Sequence, residues 1–357
     1  MKLFLDIHVI QNVPPSCLNR DDTGSPKTAV YGGARRARVS SQCWKRAMRL
    51  MFNENLDKDQ LSYRTLKVFD LVADEIQKQS PEHTREHAVE LAKNILAKVK
   101  VTPSKKNAEN SDALFFLSTQ QAKNLAILAL GDVEDKDIAK AVVQALKSNN
   151  GIDLALFGRM VASNPDINCD ASSQVAHAIS THSVETEYDY FTAVDDFANE
   201  DHAGAGMIGT VEFNSATLYR YATVAAHELY LQLSHDTTAL EKALNEFVRA
   251  FVLSMPTGKQ NTFAAHSLPY AVMVNLRTDR PLNLADAFEK PVRSNNGYAT
   301  NSAKAFAEHA ISVYESFCTK PDTSYIIGDL PIKLGEKLNI NDLAALAAKD
   351  AVAKVAV

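Results

Sequence analysis

Eight basic residues lie in the segment from Arg20 to Arg49, together with only two acidic residues, Asp21 and Asp22. The formal net charge of the whole chain is −5, so this segment differs in sign from the rest of the protein. Positive charge gathered in one segment of an acidic protein indicates a phosphate-bearing partner held at a defined place. The basic residues are Arg20, Lys27, Arg35, Arg36, Arg38, Lys45, Arg46 and Arg49.

The second half of this segment has the spacing of a helix, at about residues 41–52, which Ser40 or Ser41 can cap. Four polar residues recur at i, i+3, i+4 and i+7, and four apolar residues repeat the pattern two positions later, so the two stripes lie on opposite faces. Exposed helices usually mix Glu with Lys, because opposite charges at i, i+4 stabilise them. A basic face with no acid therefore indicates that the partner supplies the negative charge. The polar stripe is Gln42, Lys45, Arg46 and Arg49, and the apolar stripe is Trp44, Ala47, Met48 and Met51.

Asp21 and Asp22 are the candidate catalytic residues, because paired carboxylates can hold a divalent metal beside a phosphate and cut RNA. Alternatively, they orient neighbouring arginines or terminate the loop. His83 and His87 are spaced i, i+4, but Thr84 stands where a zinc peptidase needs Glu. Walker, dinucleotide-binding and G-x-S-x-G patterns are absent from the sequence. The lack of a coherent catalytic set favours a binding protein, with no metal or other cofactor, over an enzyme.

The composition is that of a globular protein, with 357 residues, 46% hydrophobic and 23% charged. Its four cysteines form no C-x-x-C pair, which argues against structural zinc and favours a reducing cytoplasm. The first ten residues are interrupted by Asp6 and His8, so they predict a strand rather than a signal peptide. No apolar run approaches the ~18 residues of a membrane span. We expect a cytoplasmic protein with no membrane partner.

Alternating and helical patterns along the chain predict an α+β fold. Residues 57–160 form a charged, Ala- and Leu-rich stretch that predicts helices throughout, and residues 187–209 form an irregular stretch with a glycine-rich tip. Without these two segments the order is β-α-β-β-α-β, the ferredoxin-like topology of the RNA-recognition motif, whose sheet commonly leaves one face open to single-stranded nucleic acid. The strands are predicted at 3–10, 177–186, 211–224 and 270–276, the helices at 41–52 and 237–254, and two or three helices thereafter.

Three further places have residues suited to binding. Phe191, Thr192 and the tip at 204–209 put apolar side chains on a polar excursion, where they could wedge between bases or anchor the loop in its own core. The turn at 256–261 suits backbone contacts to phosphate or sugar. Gly32 and Gly33 precede the arginines and let the backbone come close to a ligand. At Gly158–Met160, core packing is the better interpretation from sequence alone.

These segments closely resemble the CasC family, the backbone subunits of Cascade, the type I-E CRISPR surveillance complex. The resemblance covers most of the chain in order, but the helical insert and the C-terminal tail match poorly. The matching blocks are Ser16–Asp21, Gly32–Gly33, Arg35–Gln42, Lys45–Arg49, Gly158–Met160, Ala176–Ile179, Tyr190–Asp196, Tyr219–Ala222 and Ala287–Lys290.

The resemblance implies a hand-shaped fold, with a palm of RNA-recognition-motif type, helical fingers and a hairpin thumb. It implies domain bounds of 1–56 for the first part of the palm, 57–175 for the fingers and 176–357 for the rest, with the thumb at 185–213. It also implies a non-catalytic subunit that polymerises head to tail along the crRNA, contacts target DNA through the guide duplex, and joins CasA-, CasB-, CasD- and CasE-type subunits.

The resemblance assigns two groups of site residues. The basic residues of the opening segment, with Ser40 and Gln42, would hold the guide backbone beside Lys259, Gln260 and Asn261. The second group would shape the kink at a flipped nucleotide, and comprises Met160, Phe191, Thr192, Met207 and Ile208. Metal-dependent cleavage of RNA by Asp21 and Asp22, as in related backbone subunits of other CRISPR types, is the alternative.

Overall fold

The computed structural model describes residues 1–131, 135–193 and 207–356. The strands are β1 (Phe4–Ser16), β2 (Thr28–Tyr31), β3 (Ala34–Val39), β4 (Ser62–Thr65), β5 (Phe115–Ser118), β6 (Ser173–Val175), β7 (Ala178–Ser180), β8 (Glu187–Ala193), β9 (Met207–Ala225), β10 (Ala271–Arg277), β11 (Thr323–Gly328) and β12 (Glu336–Lys337). The helices are α1 (Ser41–Asn55), α2 (Val68–Gln79), α3 (Arg85–Ala97), α4 (Thr119–Leu130), α5 (Asp135–Lys147), α6 (Ile152–Phe157), α7 (Ala226–Gln232), α8 (Thr237–Leu253), α9 (Gln260–Phe263), α10 (Ala299–Ser316) and α11 (Ile340–Val355).

The connectivity of the central sheet confirms the predicted palm. Strands β1 and β7 both pair antiparallel with β9, so they run parallel to each other, with α1 between them in the chain. Strands β9 and β10 both pair antiparallel with β1, and α7 and α8 connect them. These are the two interleaved βαβ units of a ferredoxin-like fold. The protein is therefore α+β, with the sheet order β12-β11-β10-β1-β9-β7-β3-β2.

The alternation in β1 directs its apolar residues to one face of the sheet. Leu5, Ile7 and Val9 are fully buried there against α1, α8 and α11, in a cluster that includes Phe52 and Phe247. Burying such side chains contributes roughly 1.5–3 kcal/mol each. This core holds α1 against the sheet by its apolar stripe, which leaves the opposite face of the helix available to a partner.

The other face of the sheet is covered, unlike the face that RNA-recognition motifs commonly leave open to single-stranded nucleic acid. Ile10, Tyr219 and Met273 on this face pack against Phe306 of α10 and Phe288, and all five are buried. The chain after β10 therefore closes the surface that an isolated RNA-recognition motif leaves open. The covered face leaves the helical side and the edges of the palm as the surfaces open to a ligand.

This covered face contains a buried carboxyl group, that of Asp6. Its oxygens accept hydrogen bonds from the Tyr221 hydroxyl (3.0 Å) and the Leu282 amide (2.8 Å). Burial is the main cause that raises the pKa of Asp6 to about 6. Burial and the nearby Arg277 lower the pKa of His8, beside it on β1, to about 3, so His8 is neutral at pH 7.

Substituting Asp6→Asn should remove part of the pH dependence of stability. Because the folded state raises the pKa of Asp6, the protonated form favours folding, and this stability is present below pH ~4 and lost as the pH rises through ~6. A shift from 3.8 to about 6 corresponds to about 3 kcal/mol. Urea unfolding of both proteins between pH 4 and 7 measures it. As the pH rises from 4 to 7, the wild type should lose most of this stability relative to the variant. A difference in unfolding free energy that does not change with pH would contradict the assignment.

The fingers have a hydrophobic cluster of their own, with members from Val68 to Ile167 on α2–α5 and nearby segments. The prediction that residues 57–160 are helical throughout is wrong in one respect, because β4 and β5 form a two-stranded antiparallel sheet. Its pairing joins segments about fifty residues apart, which local periodicity does not reveal. The predicted breaks near residues 80, 102 and 150 do fall between helices. The domain bounds themselves stay predictions.

Besides β4 and β5, five strands were not predicted from the sequence: β2, β3, β6, β11 and β12. Strands β2 and β3 form a hairpin where we expected a loop, and β11 and β12 extend the sheet beyond β10, where we expected helices. They are short, with two to six residues each, and lack a long alternating pattern. In the part of the chain that the structure describes, no helix is long and apolar enough to cross a membrane.

Candidate nucleic-acid interface

Helix α1 presents its polar stripe to a groove between the palm and the fingers. Trp44, Ala47 and Met48 are buried, and the Ser40 hydroxyl caps the helix by accepting from the Cys43 amide at 3.4 Å. The groove has a volume of about 600 Å³. It is lined by Gln42, Lys45, Arg46, Arg49, Arg64, Leu114, Phe116, Phe157, Gly158, Arg159 and Met160. The predicted stripe therefore lies on one continuous surface, together with residues of the fingers.

The charge of this groove has one sign. Lys45, Arg46, Arg49 and Arg64 line it, and none of the described residues that line it is acidic. The Lys45 ammonium lies 5.6 Å from the centre of the Phe157 ring, and burial lowers its pKa. Like charges that repel one another at a partly desolvated surface favour the binding of an anion, which neutralises them.

Arg159, at the end of this groove, is not an available cation. It is 5% exposed, and its guanidinium donates to the carbonyl oxygens of Phe116, Leu146 and Ile167 at 2.7–3.0 Å. Burial lowers its pKa to about 10. It holds the groove wall in place, while its neighbour Met160 is 86% exposed at the lip. The expectation of core packing at Gly158–Met160 is thus correct for Arg159 and wrong for Met160.

Arg49 is held from the fingers side by a buried acid. Its Nε lies 3.2 Å from an Oδ atom of Asp153, its guanidinium carbon lies 4.6 Å from the centre of the Phe116 ring, and one Nη donates to the Ser62 carbonyl at 3.3 Å. Asp153 is 1% exposed. Its pKa is raised by burial, against the opposing effect of Arg49. Arg49 thus reaches the groove in one fixed orientation.

A second groove, of about 550 Å³, continues the surface on the other side of Arg46. Asn19 and Arg20 line it from the loop after β1, and Thr257 and Gly258 line it from the loop after α8. The two loops touch, since a Cβ at Gly258 would lie 2.2 Å from the Leu18 carbonyl oxygen. The predicted turn at 256–261 therefore lies beside Arg20, although the two are far apart in sequence.

Asp21 and Asp22 also line this second groove. One Oδ of Asp21 accepts hydrogen bonds from the Thr23 amide and the Ser25 amide (both 3.0 Å) and from the Thr23 hydroxyl (2.7 Å). These donors, led by the hydroxyl, lower the pKa of Asp21. Among the described residues, no group of three or more His, Cys, Asp or Glu side chains could hold a metal ion. The geometry supports the alternative role of Asp21, which is to shape the loop.

The residues at 259–261 differ in what they offer a ligand. Lys259 has a positive φ of 52°, which turns the chain into α9. The Gln260 amide nitrogen donates to the Pro256 carbonyl at 3.0 Å, so this side chain serves the loop itself. Asn261 is exposed. Lys259 and Asn261 therefore remain the candidates for contacts to a ligand at this turn.

The prediction that Arg36 binds the guide is wrong, because its side chain is fully buried. Its guanidinium donates to the carbonyl oxygens of Ser180 (2.8 Å), Phe288 (2.8 Å), Glu289 (3.1 Å) and Tyr31 (3.2 Å). It fastens the β2–β3 hairpin to the palm. Arg35 is its exposed neighbour, because successive residues of a strand point to opposite faces.

The roles expected for Gly32, Gly33 and the Ser40 side chain also need correction. Both glycines have a positive φ, 57° and 72°, as the turn between β2 and β3 requires. A Cβ on Gly32 would lie within 1.7 Å of the Glu289 carbonyl oxygen, so the close approach is to the protein's own backbone. Ser40 is 5% exposed and its hydroxyl serves the helix cap, which leaves it closed to a ligand.

Lys27, Arg38 and His177 form a small basic cluster beside β3. One Nη of Arg38 lies 3.2 Å from the His177 Nδ1, and its Nε donates to the Thr28 carbonyl. Burial, Arg38 and Lys27 lower the pKa of His177, so this histidine is neutral at pH 7. The cluster keeps the charges of Lys27 and Arg38 near the start of α1.

The predicted thumb is a two-stranded ribbon in which β8 pairs with the first residues of β9. Phe191 pairs with Gly209, and a Cβ on Gly209 would lie 2.4 Å from the Phe191 ring, so the ring lies across the glycine. Thr192 pairs with Ile208, on the opposite face. Met207 and Ile208 are 55% and 61% exposed and point to different faces. Gly204 and Gly206, assigned to the tip, lie outside the described residues.

Four residues that line the groove were not predicted from the sequence: Arg64, Leu114, Phe116 and Phe157. The buried Asp153 that holds Arg49 was not predicted either. All five lie in the fingers, at positions without a charge run or motif. Arg64 is one cation in a stretch of mixed charge. Only the packing of the β4–β5 sheet and α6 against α1 brings them to the site. The ion pair between the buried Asp153 and Arg49 leaves no local sequence pattern, because the two residues are distant in the chain.

Comparisons with known proteins agree with this architecture. The family described as CT1975-like protein matches residues 5–349. A solved chain described as "CRISPR RNA-guided surveillance complex, pre-nicking" is 33% identical, with a TM-score of 0.81, over 99% of this chain and 100% of its own. Another, described as "CRISPR RNA-guided surveillance complex", is 29% identical with a TM-score of 0.62, over 96% and 99%. No curated protein matches significantly.

Proposed function

The chain belongs to the CT1975-like protein family, and we propose that it is the crRNA-binding backbone subunit of a CRISPR surveillance complex. Several copies join head to tail along the guide RNA in the cytoplasm. The guide in turn pairs with target DNA. The more specific assignment, to the CasC subunits of type I-E Cascade with CasA-, CasB-, CasD- and CasE-type partners, is part of this proposal. It is supported by the resemblance of the motif blocks and by the likeness over nearly the full length of solved chains.

The groove along α1 is the observation that carries the proposal. It brings Lys45, Arg46, Arg49 and Arg64 together, with no acid among the described residues that line it, on a protein of net charge −5. Lysine and arginine at an open groove suit phosphates, which every nucleic-acid sequence presents alike. A backbone subunit must hold guides of any sequence, so phosphate contacts meet its requirement.

The thumb supplies what the groove lacks, namely apolar groups on an exposed ribbon. Met207 and Phe191 share one face of the ribbon, and Ile208 and Thr192 share the other. We infer that one face enters the stack of bases and kinks the guide once per subunit, with Met160 at the groove lip supporting the displaced nucleotide. Stacking or wedging contacts of this kind contribute about 1–3 kcal/mol per base.

We further propose that the subunit is not a nuclease. The carboxylate of Asp21 shapes its own loop through hydrogen bonds to Thr23 and Ser25. Asp22 is exposed beside it, without a third carboxylate among the described lining residues. The alternative, a metal-dependent endoribonuclease, predicts regularly spaced cuts in bound RNA when Mg²⁺ is added, abolished by Asp22→Ala.

Assembly on RNA tests the proposal. Purified protein mixed with single-stranded RNAs of increasing length and unrelated sequence should form particles whose mass grows in steps of one subunit, because head-to-tail contacts do not close a ring. Mass photometry measures the steps, and 2-aminopurine along the RNA should brighten at regular intervals. A complex of fixed mass, indifferent to RNA length, or regular cleavage with Mg²⁺, would overturn it.

The double variant Phe191→Ala/Ile208→Ala tests the role of the thumb. Both residues lie on the ribbon and outside the buried core of the palm, so the variant should fold and still assemble on RNA. Its 2-aminopurine signal should lose the periodicity. A periodic signal that survives in the variant means that other residues kink the guide.

A further inference from the structure

The fingers bring an exposed arginine, Arg64, to the groove that α1 also lines. Arg64 on β4 pairs with Phe116 on β5, so the two side chains share one face of this two-stranded sheet. Arg64 is exposed and lines the groove. It makes no ion pair with any residue in the described ranges. Its charge is therefore available to a ligand in the groove.

The same Phe116 ring also supports Arg49, which reaches it from the palm at 4.6 Å. Arg49 is thus held over this ring, while Arg64 lies beside Phe116 as its partner on the paired strand. A guanidinium over a ring is attracted by its negative face and keeps its planar edge for other contacts. The guanidinium groups of Arg49 and Arg64 line the same groove, where they suit the oxygens of a phosphodiester, which can accept from both.

Asp153 sets the orientation of Arg49. One Oδ accepts from the Ser62 amide at 2.8 Å and the other lies 3.2 Å from the Arg49 Nε. Ser62 belongs to β4, so a single carboxylate connects α1 to the strand that carries Arg64. The position is tight: a Cβ on Gly151, at the start of α6, would lie 2.4 Å from the Ser62 hydroxyl oxygen. The Arg49 Nη1 has no hydrogen-bond partner in the described part of the protein and is left for a ligand.

We propose that Arg49 and Arg64 form a phosphate clamp across the palm and the fingers, and that the buried Asp153 is the positioning residue that fixes Arg49 for it. The inference rests on the proposed function and assigns three residues to it. It also gives the fingers a direct part in binding, because Asp153 links α1 to the β4–β5 sheet.

Substitution of Asp153 separates positioning from simple charge. Asp153→Asn removes a negative charge near the RNA, so electrostatics alone would strengthen binding. If Arg49 loses its orientation, RNA binding weakens instead. We expect the affinity for RNA to fall by about fivefold, which corresponds to a substantial part of one charge-assisted hydrogen bond. Asp22→Asn is the matched control, because it removes an exposed acid beside the same surface and should strengthen binding slightly.

Two further measurements exclude a merely structural effect of Asp153. In a double-mutant cycle with Arg49→Ala, Asp153→Asn should add no further loss, because its effect passes through Arg49. Thermal unfolding of each variant shows whether it folds. Additive losses, or stronger binding by Asp153→Asn as in Asp22→Asn, would overturn the positioning role.

Arg64 provides a test that is independent of any effect on folding, since the residue is exposed. Arg64→Ala should weaken RNA binding by about tenfold for all sequences and reduce the log–log salt slope by about 0.7. Lys67→Ala is the control, because Lys67 is an exposed cation three residues away that does not line the groove. Equal effects of the two substitutions would overturn the clamp.

The outcomes also distinguish the clamp from the proposed function. If the wild-type protein does not bind single-stranded RNA in a salt-dependent way, the proposed function fails. If the wild-type protein binds and the substitutions in α1 weaken it while Arg64→Ala and Asp153→Asn do not, the clamp alone fails.

Discussion

The double variant Lys45→Ala/Arg46→Ala is expected to lose at least about 100-fold in affinity for single-stranded RNA, because each charge-assisted hydrogen bond to a phosphate contributes ~1.5–3 kcal/mol. Both residues lie on the polar stripe of α1, and Arg46 borders both grooves. The log–log slope of affinity against salt should fall by about 1.4, since about 0.7 counterions are released per phosphate contact on a single strand. Fluorescence anisotropy at several salt concentrations measures both quantities.

The matched control for this variant is Lys320→Ala/Lys333→Ala. Both lysines are exposed and line neither groove, and their removal changes the net charge by the same amount. We expect a less than twofold effect from the control, because charges beyond about 8–10 Å are screened at physiological salt. Equal losses in both variants would mean that only net charge matters. A changed preference among RNA sequences would mean that α1 reads bases.

The second large effect is on stability, in Arg36→Ala. The substitution leaves four carbonyl groups without their donor, at Tyr31, Ser180, Phe288 and Glu289. Each buried acceptor that loses its donor costs about 1–3 kcal/mol when no other donor replaces it. Relaxation of the structure and entry of water recover part of this free energy. We expect a loss of about 3–5 kcal/mol in unfolding free energy, as for other broken buried networks. Equilibrium unfolding in urea measures it.

Arg35→Ala is the control for Arg36, since the two are neighbours in sequence but differ in exposure. Its unfolding free energy should stay within about 0.5 kcal/mol of the wild type. A stable Arg36→Ala protein that had lost RNA binding would restore the original interpretation of this residue as a guide contact.

The comparison of these two arginines shows the limit of reading charge from sequence. Both lie in the same basic run, and composition alone treats them alike. In β3 the alternation of side chains sends one to solvent and the other into the palm. The predicted loop concealed this, because β2 and β3 are short and pair through a two-glycine turn.

The sequence could not show that one face of the palm sheet is covered, for a similar reason. The order of strands and helices indicated the ferredoxin-like topology, and the sheet has it. What covers the sheet depends on α10 and Phe288, which lie after the last predicted strand. The residue pattern of a strand shows whether each of its two faces is apolar or polar. It does not show which distant segment of the chain packs against that face.

The linear chain is sufficient for whatever depends on spacing within one element. The two stripes of α1 follow from helical periodicity, the Ser40 cap from residue type, and the charge segregation from composition. Contacts between distant segments require the folded protein. Arg49 meets Asp153, Arg64 meets Phe116, and Gly258 meets Leu18 only after folding, because each pair is separated by more than fifty residues. Tertiary packing therefore decides which of the basic residues bind and which support the fold.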